Sequence, residues 1–363
     1  MKKRQRGFTL IEFLVAALVT IAVLAVAMGA MNDSLRANQN VSQMANLSDN
    51  LRVGMNMVVQ DLIQTGTGIP TGGIPIPNNP NGAGTCNTAA PVNRPGPNNG
   101  APLQFPACNF VLPAIEPGPG LGPQITSPDG VTGSNSDVVT VLYADYSVRL
   151  DQTPINRPAA PGAPACNGTI SLAGDSLTFD ANCMNLATAN TQINPGDLIM
   201  FSNVNGNALQ TVTAVGGQTL RFDPGDVFNL NGRNEPQGTI VQLQTNAAYP
   251  PTTVTRVWLV SYYLDNTADA AHPRLVRQVN FNPPQPVSES LENLQATYNY
   301  VDGATNPANQ SNVPVGFSES EIRAVNLTLR ARSDRQGASS QYLRSNLTTQ
   351  VSLRSMAYVN RYN

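Results

Sequence analysis

The chain has 363 residues, enough for one large or two small domains, and only 12% of them are charged. Glycine and proline number 29 each and the formal net charge is −2, a balance that suggests a β-rich, loop-rich body and argues against a helical bundle. Every basic residue after Lys3 is arginine and no lysine-rich run exists, so bulk electrostatics make nucleic acid an unlikely partner.

The chain opens on a basic leader, Lys2, Lys3, Arg4 and Arg6. Residues 8–31 then hold one charge, Glu12, and no proline. A helix of these residues is about 36 Å long, enough to cross a hydrocarbon core of about 30 Å. The leader should stay cytoplasmic, with the C-terminal bulk outside. Glu12 is the informative residue, because a carboxylate inside an apolar span is costly and marks function.

Gly7-Phe8-Thr9-Leu10-Ile11-Glu12 behind that leader resembles the class III signal of type IV pilins and type II secretion pseudopilins. The resemblance implies cleavage between Gly7 and Phe8 by prepilin peptidase and N-methylation of Phe8. It implies a single-pass inner-membrane protein, N-terminus in and C-terminal domain periplasmic, later extracted into an extracellular filament. Glu12 would pair there with an α-amino group, its own or a neighbour's. An ordinary secretory signal, cut near Ala25-Val26-Ala27, is the bland alternative with a plain anchor; secretory apolar regions are usually only about 7–15 residues and need no Glu12. Gly29 stands where many major pilins have a helix-kinking proline, so the kink should be weaker or displaced. The length favours a minor component over a principal subunit.

From Val41, apolar residues recur at Met44, Leu47, Leu51, Met55, Val58 and Leu62, the stripe of an amphipathic helix. Asp33, Arg36, Asp49, Arg52 and Asp61 fall mostly on other faces. Gly66 and Gly68 should stop the helix, giving one helix of nearly 60 residues. Residues 51–66 resemble the end of this helix in PilW-type minor pilins and GspJ-type pseudopilins. Residues 66–130 contain fourteen prolines and twelve glycines, too many for long regular elements. In the pilin layout they are an expanded loop, read here as a linker rather than a binding loop, although Cys86 and Cys108 should pin its middle.

Strand-like runs follow at 138–143, 177–179, 197–201, 209–215 and 239–243, each bounded by turn residues. Residues 253–264 and 274–281 look like a long hairpin, with the single histidine, His272, facing solvent in its turn. In the last two strands Val325, Leu327, Leu329 and Ala331 point one way, and Leu347, Thr349, Val351 and Leu353 repeat the pattern. Alternation then places Arg330, Arg332 and Arg354 outward. Residues 293–300, 322–329 and 351–354 resemble the closing strands of the same minor-pilin families. The fold class expected is α+β, type IV pilin-like: leader 1–7, membrane or filament-core helix 8–31, amphipathic half 32–66, loop 67–136, and a β-rich domain 137–363.

Cys86, Cys108, Cys166 and Cys183 contain no C-x-x-C pair and no histidine lies near them, so zinc is disfavoured and two disulfides are expected outside the cytoplasm. Three connectivities are open; neighbour pairing encloses the shortest loops. No catalytic motif is present, and one histidine removes most acid–base schemes. No cofactor or metal is expected; acidic loops at 129–137, 223–226 and 265–269 lack EF-hand spacing, and turn formation explains them equally well. The function expected is that of a non-enzymatic minor pilin, priming or capping assembly, with prepilin peptidase, major and minor pilins and the inner membrane as partners. The alternatives are a secretion pseudopilin and a tip adhesin or DNA-binding pilin. Residues 323–361 carry seven arginines and one acid, Asp334, so Arg330, Arg332 and Arg354 are a solvated face, a docking surface for an acidic patch on another pilin or, less favoured because three arginines make a small phosphate footprint, a DNA contact.

Overall fold

The computed structural model describes residues 9–77, 91–97, 102–106, 110–157, 166–181, 183, 186, 193–235, 237–337 and 341–356. Gly7, Phe8, Cys86 and Cys108 lie outside them. The chain is α+β: one long N-terminal helix and a largely antiparallel β body. Helix α1, Leu10–Gln64, runs without interruption through Gly29. It ends at Thr65, and Gly66 and Gly68 follow with φ of +80° and +69°, which glycine adopts at no steric cost. At Gly68 a side chain is also barred by contact, since a Cβ would lie 2.6 Å from that of Ala144.

The major strands are β1 Val139–Asp145, β2 Gly168–Ile170, β3 Ser176–Phe179, β4 Leu198–Asn203, β5 Gly206–Thr211, β6 Ala214–Gly216, β7 Thr219–Arg221, β8 Thr253–Asp265, β9 Arg274–Val279, β10 Gln285–Ser288, β11 Leu291–Tyr300, β12 Ile322–Gln336 and β13 Tyr342–Ser352. Strand β8 organises the largest sheet. It pairs with β1 through residues 256–262, so its opposite edge holds both β4, at 253–257, and β9, at 260–265. The β8–β9 pairing is the expected hairpin. Strands β11, β12 and β13 form a second sheet, and β6, β7, β3 and β2 a third.

One core joins the helix to the first two sheets. Leu47, Leu51, Met55, Val58 and Leu62 bury one helix face, as their spacing predicts. Val41 and Met44, the first members of that stripe, are exposed. At Gly54 the helix comes so close to the sheet that a Cβ would lie 3.1 Å from that of Ser288. A second core lies under the third sheet, around Phe179, Phe201, Phe222 and Ile240.

Three expectations are corrected. The described parts of 67–136 are not a passive linker: Ile74, Ile76, Val92, Phe105, Leu112 and Ile115 all enter the main core. The run at 239–243 is a 3-10 turn, Ile240–Leu243, opened by reciprocal hydrogen bonds between Thr239 and Gln242. The run at 209–215 is divided between β5 and β6.

Cys166 and Cys183 are disulfide-bonded across a separation of 17 residues, with Cys183 packed on the second core. A loop of this length stabilises by about 3 kcal/mol in the chain-entropy estimate. Alkylation without reduction should therefore label neither cysteine, and Cys166→Ser should lower the free energy of unfolding by about that amount in urea. Labelling of Cys183 in the native protein would contradict the bond.

Candidate functional site

The feature that sets this molecule apart is a helix with two environments. Between Leu10 and Met31 its large apolar side chains stand exposed, Leu10 at 79% and Val26 at 75%. This helix is long and apolar enough to cross a membrane. At its start Thr9 is the N-cap: its hydroxyl accepts from the Glu12 backbone N–H at 3.3 Å, and Glu12 Oε2 accepts from the Thr9 backbone N–H at 2.9 Å. This reciprocal box satisfies two of the donors a helix start leaves open. Glu12 thus has a local structural role that the sequence reading did not assign.

The other end of the helix is clamped. Asp61, expected on a non-core face, is 4% exposed and sits at the centre of a buried polar network. Arg277 from β9 donates Nε to Oδ2 at 2.7 Å and Nη2 to Oδ1 at 3.2 Å. Tyr143 from β1 donates to Oδ1 at 2.8 Å, and Tyr262 from β8 donates to Oδ2 at 2.5 Å. The carboxylate accepts four hydrogen bonds from three strands, which offsets the cost of burying it. Burial pushes both tyrosine hydroxyls up, and the Asp61 charge pushes them further, so they stay protonated donors. Burial works against the Arg277 charge, but its bonds to Asp61 outweigh that and hold it above its ordinary value.

Trp258, the chain's one tryptophan, lies beside this clamp, its ring centre 5.8 Å from the guanidinium carbons of both Arg277 and Arg256. Arg256 is in turn bonded to Asp145.

The arginines predicted to face outward do not form one surface. Arg330 is exposed, but its Nε lies 3.3 Å from Glu292. Arg332 is 2% exposed, a correction to its expected exposure: its guanidinium lies over the Tyr342 ring at 4.5 Å and bonds the Ala271 carbonyl. Arg354 is exposed but lies beyond β13, in the 3-10 turn Arg354–Met356. Arg332 lies on the same side of β12 as Arg330, and both guanidinium groups reach Glu292, so that side is covered rather than turned. Leu291 faces Ala331 and Asn293 faces Arg330, so Glu292 is an extra residue on β11. It is 5% exposed on the arginine side of the sheet and binds Arg344, whose Nε donates to Oε2 at 2.9 Å and whose Nη2 donates to Asp129 at 2.8 Å. Acids from distant segments thereby neutralise much of the arginine-rich end.

Acids in the loops hold backbone N–H groups, near and distant in the chain. Asp137 accepts the Gly120 and Ala296 backbone N–H groups, and Asp226 those of Phe228, Leu230 and Asn231. His272 is held between Asp269 at 2.7 Å and Asp334 at 2.8 Å, and the bond to Asp269 raises its pKa. Among the described residues no group of three or more histidine, cysteine, aspartate or glutamate side chains could hold a metal ion.

A scan against protein-family models, a search of curated proteins and a search of solved structures each found no match. The geometry therefore carries the functional argument, together with the resemblance of the N-terminal motif.

Proposed function

We propose that this chain is a minor pilin of a type IV pilus, held in the inner membrane by residues 8–31 and later packed into the filament through the same helix. The observation that carries the reading is the divided helix: an exposed apolar half with Glu12 as its one charge, and a second half fixed to the β body. A lone membrane anchor needs the apolar half only, whereas a subunit pulled into a polymer also needs its body rigidly joined to that helix. The role is assembly, with prepilin peptidase and the other pilins as partners, and no chemistry of its own.

The experiment is N-terminal mass spectrometry of sheared filaments. The expected mature chain begins at N-methylated Phe8. An intact Met1 in a strain with active peptidase, or a start near Met28, would reject the proposal.

A further inference from the structure

A cleft beside the Pro/Gly-rich segment carries chemistry that neither the helix nor its clamp uses. Arg94, in the short strand Asn93–Arg94, stacks on Phe105 with its guanidinium carbon 5.5 Å from the ring centre. It is 1% exposed, yet its Nε and Nη1 have no hydrogen-bond partner. Glu116, in the strand Ile115–Glu116, is 3% exposed and leaves Oε2 unpartnered. Tyr298 and Tyr300, near enough to sense the Glu116 charge, are each 1% exposed with unpartnered hydroxyls. Native folds leave only a few such atoms per hundred residues, and each is destabilising unless something pairs with it. Here five belong to four neighbouring residues.

Arg94 and Glu116 both line an open cleft of about 540 Å³, a volume typical of ligand sites. Glu319 also lines it, and Pro106, Leu121 and Val313 supply apolar walls. We propose that this cleft binds a monocarboxylate, seated on the Arg94 guanidinium with the Glu116 carboxyl donating a hydrogen bond to it. Burial pushes Glu116 up to about 8 against the opposing pull of Arg94, so near neutral pH it is a donor and not a competing anion. The planar guanidinium matches a carboxylate, and the apolar walls accept a hydrocarbon body. A phosphate dianion fits worse, because a single cation would face its two charges beside Glu319. The carboxylate can come from a free acid or from an acidic side chain of a partner polypeptide.

The test is calorimetric titration of the full chain in detergent with sodium butyrate, with butyramide as the uncharged twin, and with an N-acetylated, C-amidated tripeptide carrying one central glutamate. Saturable binding of butyrate supports a free acid, and saturable binding of the peptide alone supports a partner side chain. Arg94→Met should weaken the binding roughly tenfold or more. If that variant does not fold, Glu116→Gln carries the test. It keeps a donor, so binding persists near neutral pH. Wild-type binding should weaken as pH rises through about 8, and that of the variant should not. The other groups facing Glu116 are Arg94, Glu319, Tyr298 and Tyr300; burial holds the tyrosines protonated across that window. Equal binding of butyramide and butyrate, no saturable binding of either acid, or an unchanged Arg94→Met would overturn the proposal, as would a Glu116→Gln variant with the wild-type pH profile.

Discussion

Asp61→Ala should destabilise the protein by about 3–5 kcal/mol, the usual result of removing one partner from a buried ion pair. The loss is large because the substitution takes the counter-charge from the buried Arg277 guanidinium and the acceptor from the Tyr143 hydroxyl, while Tyr262 keeps only the Met57 carbonyl at 3.0 Å. Their burial leaves little room for water to replace the carboxylate. Asp61→Asn removes the charge but keeps one acceptor oxygen, so it should fall between wild type and alanine. The measurement is urea unfolding of the full chain in detergent, followed by a tyrosine-sensitive probe. A loss below about 1 kcal/mol for the alanine variant would show that the network carries no net stability. Asp61→Leu combined with Arg277→Met should recover much of the loss, since well-packed apolar pairs often replace buried ion pairs without cost.

This network also marks where sequence reading stops. The helix was legible because its signals are local: the three- and four-residue spacing from Leu47 to Leu62, and glycines where the chain must turn. The clamp was not, because Asp61 meets Tyr143, Tyr262 and Arg277 at separations of 82, 201 and 216 residues. Nothing near Asp61 in the chain says that a guanidinium awaits it, so an aspartate near a helix end reads as solvated. Arg332 failed for a related reason. Alternation gives the side on which a residue lies, and Arg332 does share the side of Arg330, but it cannot say that Tyr342, the Ala271 carbonyl and the segment at Asp129 cover that side. The Pro/Gly-rich segment misled through composition: proline and glycine forbid long strands, but two-residue strands such as Ile74–Pro75 and Ile115–Glu116 still deliver isoleucines to the core.

Glu12→Ala should leave processing intact and sharply reduce incorporation into filaments. On the proposed function, Glu12 neutralises an α-amino group within an apolar interface, and losing one partner there costs about 3–5 kcal/mol. The capping box offers a competing explanation, since Glu12 also accepts from the Thr9 backbone. Glutamine at this position preserves a capping box but carries no charge. Charge pairing therefore predicts that Glu12→Gln fails as badly as alanine, whereas capping alone predicts rescue. Immunoblotting of sheared filaments against membrane fractions gives the readout. Wild-type filament levels of both variants would remove Glu12 from assembly altogether.

The position of the clamp has a mechanical consequence. It lies in the last helical turn, at the far end of the buried contacts from Leu47 to Leu62, a docked length of about 24 Å. Tension along the helix axis from the exposed end loads those contacts in shear, all at once, with the Asp61 bonds sharing the load. A sideways pull instead peels them singly, from Leu47 inward, and reaches the ionic bonds only near the end. The joint is therefore stiff against axial stretching and yields first to bending.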